Sequence, residues 1–392
     1  MSAVSNQSII YFDAAATTRC TDAVTAAMVE FSEDNFANPS SPHSMGRSAK
    51  LAVDQATASI ARLLGCSYDE LTLTSGATES NNIVVLGSAR PESSDNIVIC
   101  PIDHKSTLSA ASEMERRGVE VRRMTVDANG RIDLDHLARI VDADTALVTL
   151  AYVNSEIGTL QDVPAISALL EGKETLFHID ASQAAGKVDI NVQHTRVDCV
   201  SISAHKICGP KGIGALYVSS DATFRLRPLT FGGGQYRLRS GTLPVPLIVG
   251  FGIAAERISK ADLASWWEAA NYRRQVILET LHGHDVRYQL NSPTENAVPH
   301  ILNLSFPGVR SETIIKGLPT VCIASGSACN SKSIAPSYVL TEVGHEDARA
   351  NSAIRLSFTA DVEIEKVGLG AELLARKVCS LQKLITREEI GA

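Results

Sequence analysis

Between residues 70 and 220 the chain alternates short, continuously apolar runs with amphipathic segments of helical length, and this alternation restricts the fold more than any other feature. Apolar runs fall at 71–74, 97–100, 119–124, 146–151, 176–179, 200–203 and 215–218, and helical periodicity fills 49–64, 79–88, 106–117 and 163–170. Strands that are apolar on both faces and separated by helices form a mostly parallel sheet covered by helices on both sides. A parallel crossover needs a helix-length connection, and both faces of the sheet are then buried. The expected class is α/β, with one large domain built on that sheet.

Past residue 230 the pattern changes. Gly and Pro make 231–246 a loop, and one long helical stretch is predicted over 248–282. Then come strands at 301–306 and 353–358, a glycine- and serine-rich segment at 325–333, and a last helix from 362 onward. Mixed strands and helices of this length suit a smaller α+β domain. With 392 residues for two or three domains, we divide the chain into a large domain over 17–260 and a small one from 1–16 and 261–392.

A formal net charge of −8 gives no electrostatic basis for direct nucleic-acid binding, and the clusters Arg225-Leu-Arg227 and Arg237-Leu-Arg239 read as solvated loop charge. The eight cysteines are scattered, without a C-x-x-C pair or zinc-like spacing, and seven of them read as small core hydrophobes. No metal is expected. No leader-like N-terminus and no membrane-length apolar stretch is present, so the expectation is a cytoplasmic protein with reduced thiols.

Two segments carry most of the chemistry. Lys206 follows an apolar strand in Ser203-Ala-His205-Lys206, and Asp180 ends another in His178-Ile-Asp180-Ala-Ser-Gln183. A lysine in that setting suits a Schiff base to an aldehyde cofactor. A strand-end carboxylate beside a pyridine nitrogen keeps it protonated, which makes the ring an electron sink. Lys187 and Lys211 compete for the Schiff base but lack the preceding Ser-x-His. Thr74-Ser-Gly-Ala77-Thr78-Glu-Ser joins a strand to a helix, so the Ala77 and Thr78 amides and the Thr78 hydroxyl offer an anion site. His104, at a helix start, can lie over a cofactor ring and move protons. Arg355, in a strand-like run, can grip a substrate carboxylate with both prongs. Cys329, in Ser325-Gly-Ser-Ala-Cys329-Asn-Ser, is flanked by small polar residues that favour an exposed, mobile thiol. Together these propose a pyridoxal phosphate (PLP) enzyme whose second actor is a thiolate.

These strings, with Arg239-Ser-Gly-Thr242-Leu-Pro and His205-Lys-Ile-Cys-Gly-Pro-Lys-Gly, resemble the PLP-dependent cysteine desulfurases of the NifS/IscS group in the class V aminotransferase superfamily. The resemblance runs nearly end to end, from Phe12-Asp-Ala-Ala-Ala-Thr-Thr to Ile354-Arg355-Leu-Ser. It implies PLP-dependent transferase fold type I, with Lys206 as the Schiff-base lysine, His104 stacked on the ring, Asp180 on the pyridine nitrogen and Gln183 donating to the phenolic oxygen. Ala77, Thr78, Ser203 and His205 are implied as phosphate binders. Thr242 would reach the phosphate of a neighbouring subunit, which makes the protein a homodimer. Arg355 and Asn38 would contact the substrate carboxylate, and Cys329 would carry the persulfide.

Two departures from the family pattern stand out. Ser155, in Asn154-Ser155-Glu156, occupies the place of an asparagine that usually contacts the cofactor, and the loop after Gly234 is one residue shorter than usual. The implied reaction converts L-cysteine to L-alanine and passes sulfur through Cys329 to an acceptor protein. Asp13-Ala-Ala-Ala-Thr-Thr-Arg19 and Glu79-Ser-Asn-Asn-Ile further resemble the DndA/SspA type, which serves DNA phosphorothioation, although iron–sulfur assembly enzymes share most of these strings. The alternatives are a selenocysteine lyase, another class V aminotransferase-type enzyme, or a binding module that keeps the fold only as a docking platform.

Overall fold

The computed structural model describes residues 9–233, 238–325 and 336–391. In chain order its strands are β1 (Ile10–Tyr11), β2 (Leu71–Thr74), β3 (Asn96–Ile99), β4 (Glu120–Arg123), β5 (Thr145–Ala151), β6 (Leu176–Asp180), β7 (Cys199–Ser203), β8 (Gly214–Val218), β9 (Gln289–Leu290), β10 (Ile301–Ser305), β11 (Val321–Cys322), β12 (Ala324–Ser325) and β13 (Ala353–Ser357). Its helices are α1 (Asp22–Glu33), α2 (Ser44–Leu64), α3 (Ala77–Ser88), α4 (Lys105–Arg116), α5 (Leu134–Ile140), α6 (Val163–Leu170), α7 (Val245–Glu256), α8 (Leu263–Gly283), α9 (Ser311–Lys316), α10 (Tyr338–Glu342), α11 (Asp347–Asn351) and α12 (Ile364–Gly391).

The seven apolar runs of the first half form one sheet in the order β2-β8-β7-β6-β5-β3-β4. From β7 to β4 all neighbours are parallel, and β8 runs antiparallel to both β7 and β2. The reversal follows from chain length. Residues 204–213 between β7 and β8 are too few for a parallel crossover, so the chain turns straight back, and the turn carries Lys206. Leu147, Val148 and Leu150 in β5 have no exposure, as strands covered on both faces require.

The later half supplies a second core. The antiparallel sheet β12-β13-β10-β9 and the parallel pair β1–β11 pack against α8 and α12. Val367, Ala371, Leu374 and Val378 fall at intervals of three and four along α12 and share one buried face, where each Val or Leu side chain contributes roughly 1.5–3 kcal/mol. Ile10 and Phe12 join this core although they precede everything in the large sheet. In the opposite sense, Val339, Leu340 and Val343 pack into the large-sheet core, so the chain beyond residue 335 re-enters the first unit.

The single helix expected over 248–282 is instead two, α7 and α8, separated at 257–262. Ile248, Val249, Phe251, Ala254 and Ala255 of α7 belong to the large core, whereas Ala270, Ile277 and Leu281 of α8 belong to the smaller one. One straight helix cannot serve both, and at the break the Ser259 side chain accepts from the Ala261 amide, as serine does at helix ends. The cysteine expectation holds in part: Cys100 and Cys199 are buried in a core and Cys20, Cys66 and Cys379 pack partly buried against one, whereas Cys208 and Cys322 are partly buried outside them. Among the described residues no helix is long and apolar enough to cross a membrane.

Candidate active site

A cavity of about 550 Å³ opens beyond the carboxyl ends of β5, β6 and β7, the edge at which open α/β sheets bind ligands. Lys206, Asp180, His104 and Arg355 all line it, as do Ala77, Thr78, Ser155, Gln183, Ser203 and His205. Residues expected to act together from positions 77 to 355 therefore share one wall.

Lys206 sits on the short 3-10 turn Ala204–Lys206 that follows β7. Its Nζ donates to the carbonyls of Ala15 and, at 2.9 Å, Ala16. Gln183 Nε2 donates to the same Ala15 oxygen at 2.8 Å. The N-terminal Ala-Ala-Thr string thus closes one side of the cavity, and the Ser357 hydroxyl fixes it by accepting from the Ala15 amide. Lys187, the first competitor, does not line this cavity. It is half-buried behind the turn, where its Nζ donates to the carbonyl of Lys206 at 3.0 Å and desolvation lowers its amine to about 8. Lys211 does line the cavity.

Asp180 ends β6 and is 8% exposed. One carboxylate oxygen accepts from the Ser182 amide at 2.9 Å, and the other from Asn81 Nδ2 at 2.7 Å. Asn81, from α3, also donates to Ser106 Oγ, which lies 2.8 Å from His104 Nδ1. His104 caps α4, its Nδ1 accepting from the Ser106 amide. Asn81 and Ser106 were not singled out from the sequence. Only Asn81's place in the Glu79-Ser-Asn-Asn string hinted at a role.

The anion end is built by α3. Gly76 at its N-cap has φ 150°, a conformation that side chains with a Cβ rarely adopt, and it turns the chain from β2 into the helix. Gly214 on β8 lies so close that a Cβ there would stand 2.7 Å from the Gly76 Cα. The first-turn amides of Ala77 and Thr78 have no partner within the helix and face the cavity together with Ser203 and His205. Burial and the nearby Lys206, Lys211 and Lys187 push the His205 imidazole down to about 4, so it is a neutral donor or acceptor there, with Nδ1 3.2 Å from the Thr17 hydroxyl.

Arg355 projects from β13. Nη1 donates to the Ser155 carbonyl at 2.9 Å and Nη2 to Asp13 at 2.8 Å, while its buried Nε has no partner among the described residues. Ser155 therefore serves Arg355 through its backbone, which any residue at that position can do. The buried Ser182 hydroxyl on the cavity wall also has no partner among the described residues. An anion cradle, a buried carboxylate, a lysine amine and unspent donors fit a phosphorylated pyridine aldehyde and a carboxylate-bearing substrate.

Two expected residues are elsewhere. Asn38 is exposed and its side chain accepts from the Ser40 amide, and Thr242 is exposed and not on the cavity wall. Its segment is nonetheless tethered to the anion end, because Arg239 pairs with Glu79 of α3 at 3.1 Å. Cys329 and the loop after Gly234 lie outside the described residues.

The described geometry has close counterparts. The model of the class-V aminotransferase family matches residues 10–369. Cysteine desulfurase IscS of Neisseria meningitidis serogroup A is 40% identical over 381 residues, covering 96% of this chain and 93% of the relative. Among solved structures, DndA from Streptomyces lividans is 37% identical with a TM-score of 0.75, and SspA in complex with cysteine is 36% identical with a TM-score of 0.80. Each of these two covers 89% of this chain and 99% of the other.

Proposed function

The chain belongs to the class-V aminotransferase family, and from that membership we infer its reaction: it is a PLP-dependent cysteine desulfurase. Overall, L-cysteine and an enzyme thiol become L-alanine and an enzyme persulfide. The observation that carries this reading is the convergence of Lys206, Asp180 and Arg355 on one cavity beside the α3 anion cradle.

In this reading Ala77, Thr78, Ser203 and His205 hold the phosphate, Lys206 holds the cofactor through its amine, and Gln183 and Ser155 stand at its edge. Bound PLP supplies an electron sink that lets the substrate lose its Cα proton. Asp180 keeps a proton on the pyridine nitrogen, and its bonds to Ser182 and Asn81 fix the carboxylate in place. Arg355 grips the substrate carboxylate with its unspent Nε, and Asp13 holds the guanidinium for that contact. Lys206 and His104 would move the proton at the substrate Cα. The Cys329 thiolate would attack the substrate sulfur, forming an S–S bond as the C–S bond breaks with its electron pair left on carbon, and Cβ and Cα would each take up a proton to complete alanine. Ser325 ends β12, which pairs with β13 beside Arg355. Cys329 follows Ser325 by four residues in sequence, which supports its assignment as the thiol that serves this cavity.

The working form in this reading is a cytoplasmic homodimer in which Thr242 serves the partner's phosphate. Its exposure away from its own cavity, and the exposed Phe231 between Thr230 and Gly232, which both bond Ser240, support a covered face there. From Cys329 the sulfur passes to an acceptor protein, for iron–sulfur cluster assembly or DNA sulfur modification.

The test is a balance sheet of products. Purified enzyme incubated with L-cysteine should yield alanine and protein-bound or reductant-released sulfur in equal amounts. Selenium release from selenocysteine, with no sulfur release from cysteine, would make it a selenocysteine lyase. Transamination without sulfur release would make it an aminotransferase.

A further inference from the structure

We propose that Asn81 and Ser106 are positioning residues that fix the His104 proton on Nε2 and tie that ring to the Asp180 carboxylate. The proposal rests on the reading in which His104 and Asp180 serve the cofactor.

The directions of the hydrogen bonds follow from chemistry. Asn81 Nδ2 donates to Asp180 Oδ2 at 2.7 Å and to Ser106 Oγ at 2.9 Å. Reversing the amide would set its oxygen against a carboxylate, acceptor facing acceptor. Asn81 has no exposure and its own oxygen has no partner among the described residues, so the two donated bonds decide its orientation. With Asn81 donating to it, the Ser106 oxygen turns its single proton to His104 Nδ1, 2.8 Å away. The Ser106 amide donates to the same nitrogen at 3.1 Å. A proton on Nδ1 would face two donors, so the neutral ring carries it on Nε2. Ser182, Asp180, Asn81, Ser106 and His104 form one chain of bonds from β6 through α3 to α4, in which each direction is set by its neighbour. Orienting partners of this kind fix the tautomer and angle of a working imidazole.

The test reads the tautomer directly. Nitrogen-15 spectra of histidine-labelled holoenzyme and of the cofactor-stripped full chain, assigned with His104→Gln, should show an unprotonated Nδ1 and a protonated Nε2. Ser106→Ala should give mixed tautomers and lower kcat roughly tenfold, the size of one lost hydrogen bond, with little change in KM. Ser106→Thr, which keeps the hydroxyl, should restore both. A protonated Nδ1 in the wild type, or a single unchanged tautomer in Ser106→Ala, overturns the proposal. A tautomer shift as expected, alongside full turnover in His104→Gln, would uphold the positioning and overturn the catalytic reading of His104.

Discussion

Arg355 Nη2 lies 2.8 Å from Asp13 Oδ1, an ion pair closed across 342 residues of sequence. With Nη1 on the Ser155 carbonyl, both terminal nitrogens of the guanidinium bond to the protein, while the buried Nε has no partner among the described residues. Replacing Arg355 by lysine keeps the charge but loses the fork. Arg355→Lys should raise KM for cysteine roughly 10–100-fold, the worth of a charge-assisted hydrogen bond at ~1.5–3 kcal/mol. Steady-state kinetics decide it, and an unchanged KM would remove Arg355 from substrate binding.

Lys206 and Lys211 both line the cavity, whereas Lys187 lies behind the turn with its amine on the Lys206 carbonyl, and in the proposed reading Lys206 holds the cofactor. Lys206→Ala should lose the visible absorbance of the covalently held cofactor, along with turnover. Borohydride reduction of the wild type, followed by peptide mapping, should label the Lys206 peptide. A label on Lys187 or Lys211 contradicts the assignment.

Cys329 separates the sulfur step from the cofactor step. Cys329→Ser should bind PLP with a normal spectrum yet make no persulfide and no alanine, since a hydroxyl is a far poorer nucleophile toward sulfur at neutral pH. Mass spectrometry of wild type treated with cysteine should find an added sulfur on the Cys329 peptide. Finding it on the Cys322 peptide, or full activity in the serine variant, rejects the role.

His178 makes a prediction about acid stability. Burial holds its imidazole down to about 4, and its nitrogens are bonded to Thr149 at 2.7 Å and Ser201 at 2.9 Å. The unfolded chain, with a histidine pKa near ~6.5, takes up the proton first. The contribution is therefore complete above that pH and fades as pH falls toward 4, a loss of about 3 kcal/mol over the whole window. Denaturation midpoints between neutral pH and pH ~4.5 should fall steeply in the wild type and less steeply in His178→Asn, which has no proton to gain. Equal slopes would show that His178 does not set this acid sensitivity.

Much of the site was legible in the chain because its parts are local. A strand end followed by a short polar string announces Asp180 and Lys206, and a glycine between strand and helix announces the Ala77–Thr78 cradle. The large sheet was equally legible, since its central strands are buried and largely apolar, with the edge strand β4 (Glu-Val-Arg-Arg) the exception. What the sequence alone determined is thus a partial inventory: the strands of the large sheet, several of the helices around it, and most of the residues at the ligand-binding edge.

Only the tertiary structure decided who meets whom. Lys206 reaches carbonyls 191 and 190 residues away, and Asn81 meets a carboxylate 99 residues downstream. No local periodicity encodes such pairings. They arise because β6, β7 and α3 are brought side by side by the packing of the whole sheet. The same cause split the helix expected over 248–282, since its two halves had to bury their apolar faces in different cores. Helical periodicity records that a face is apolar, but which core receives it depends on where the rest of the chain has already packed.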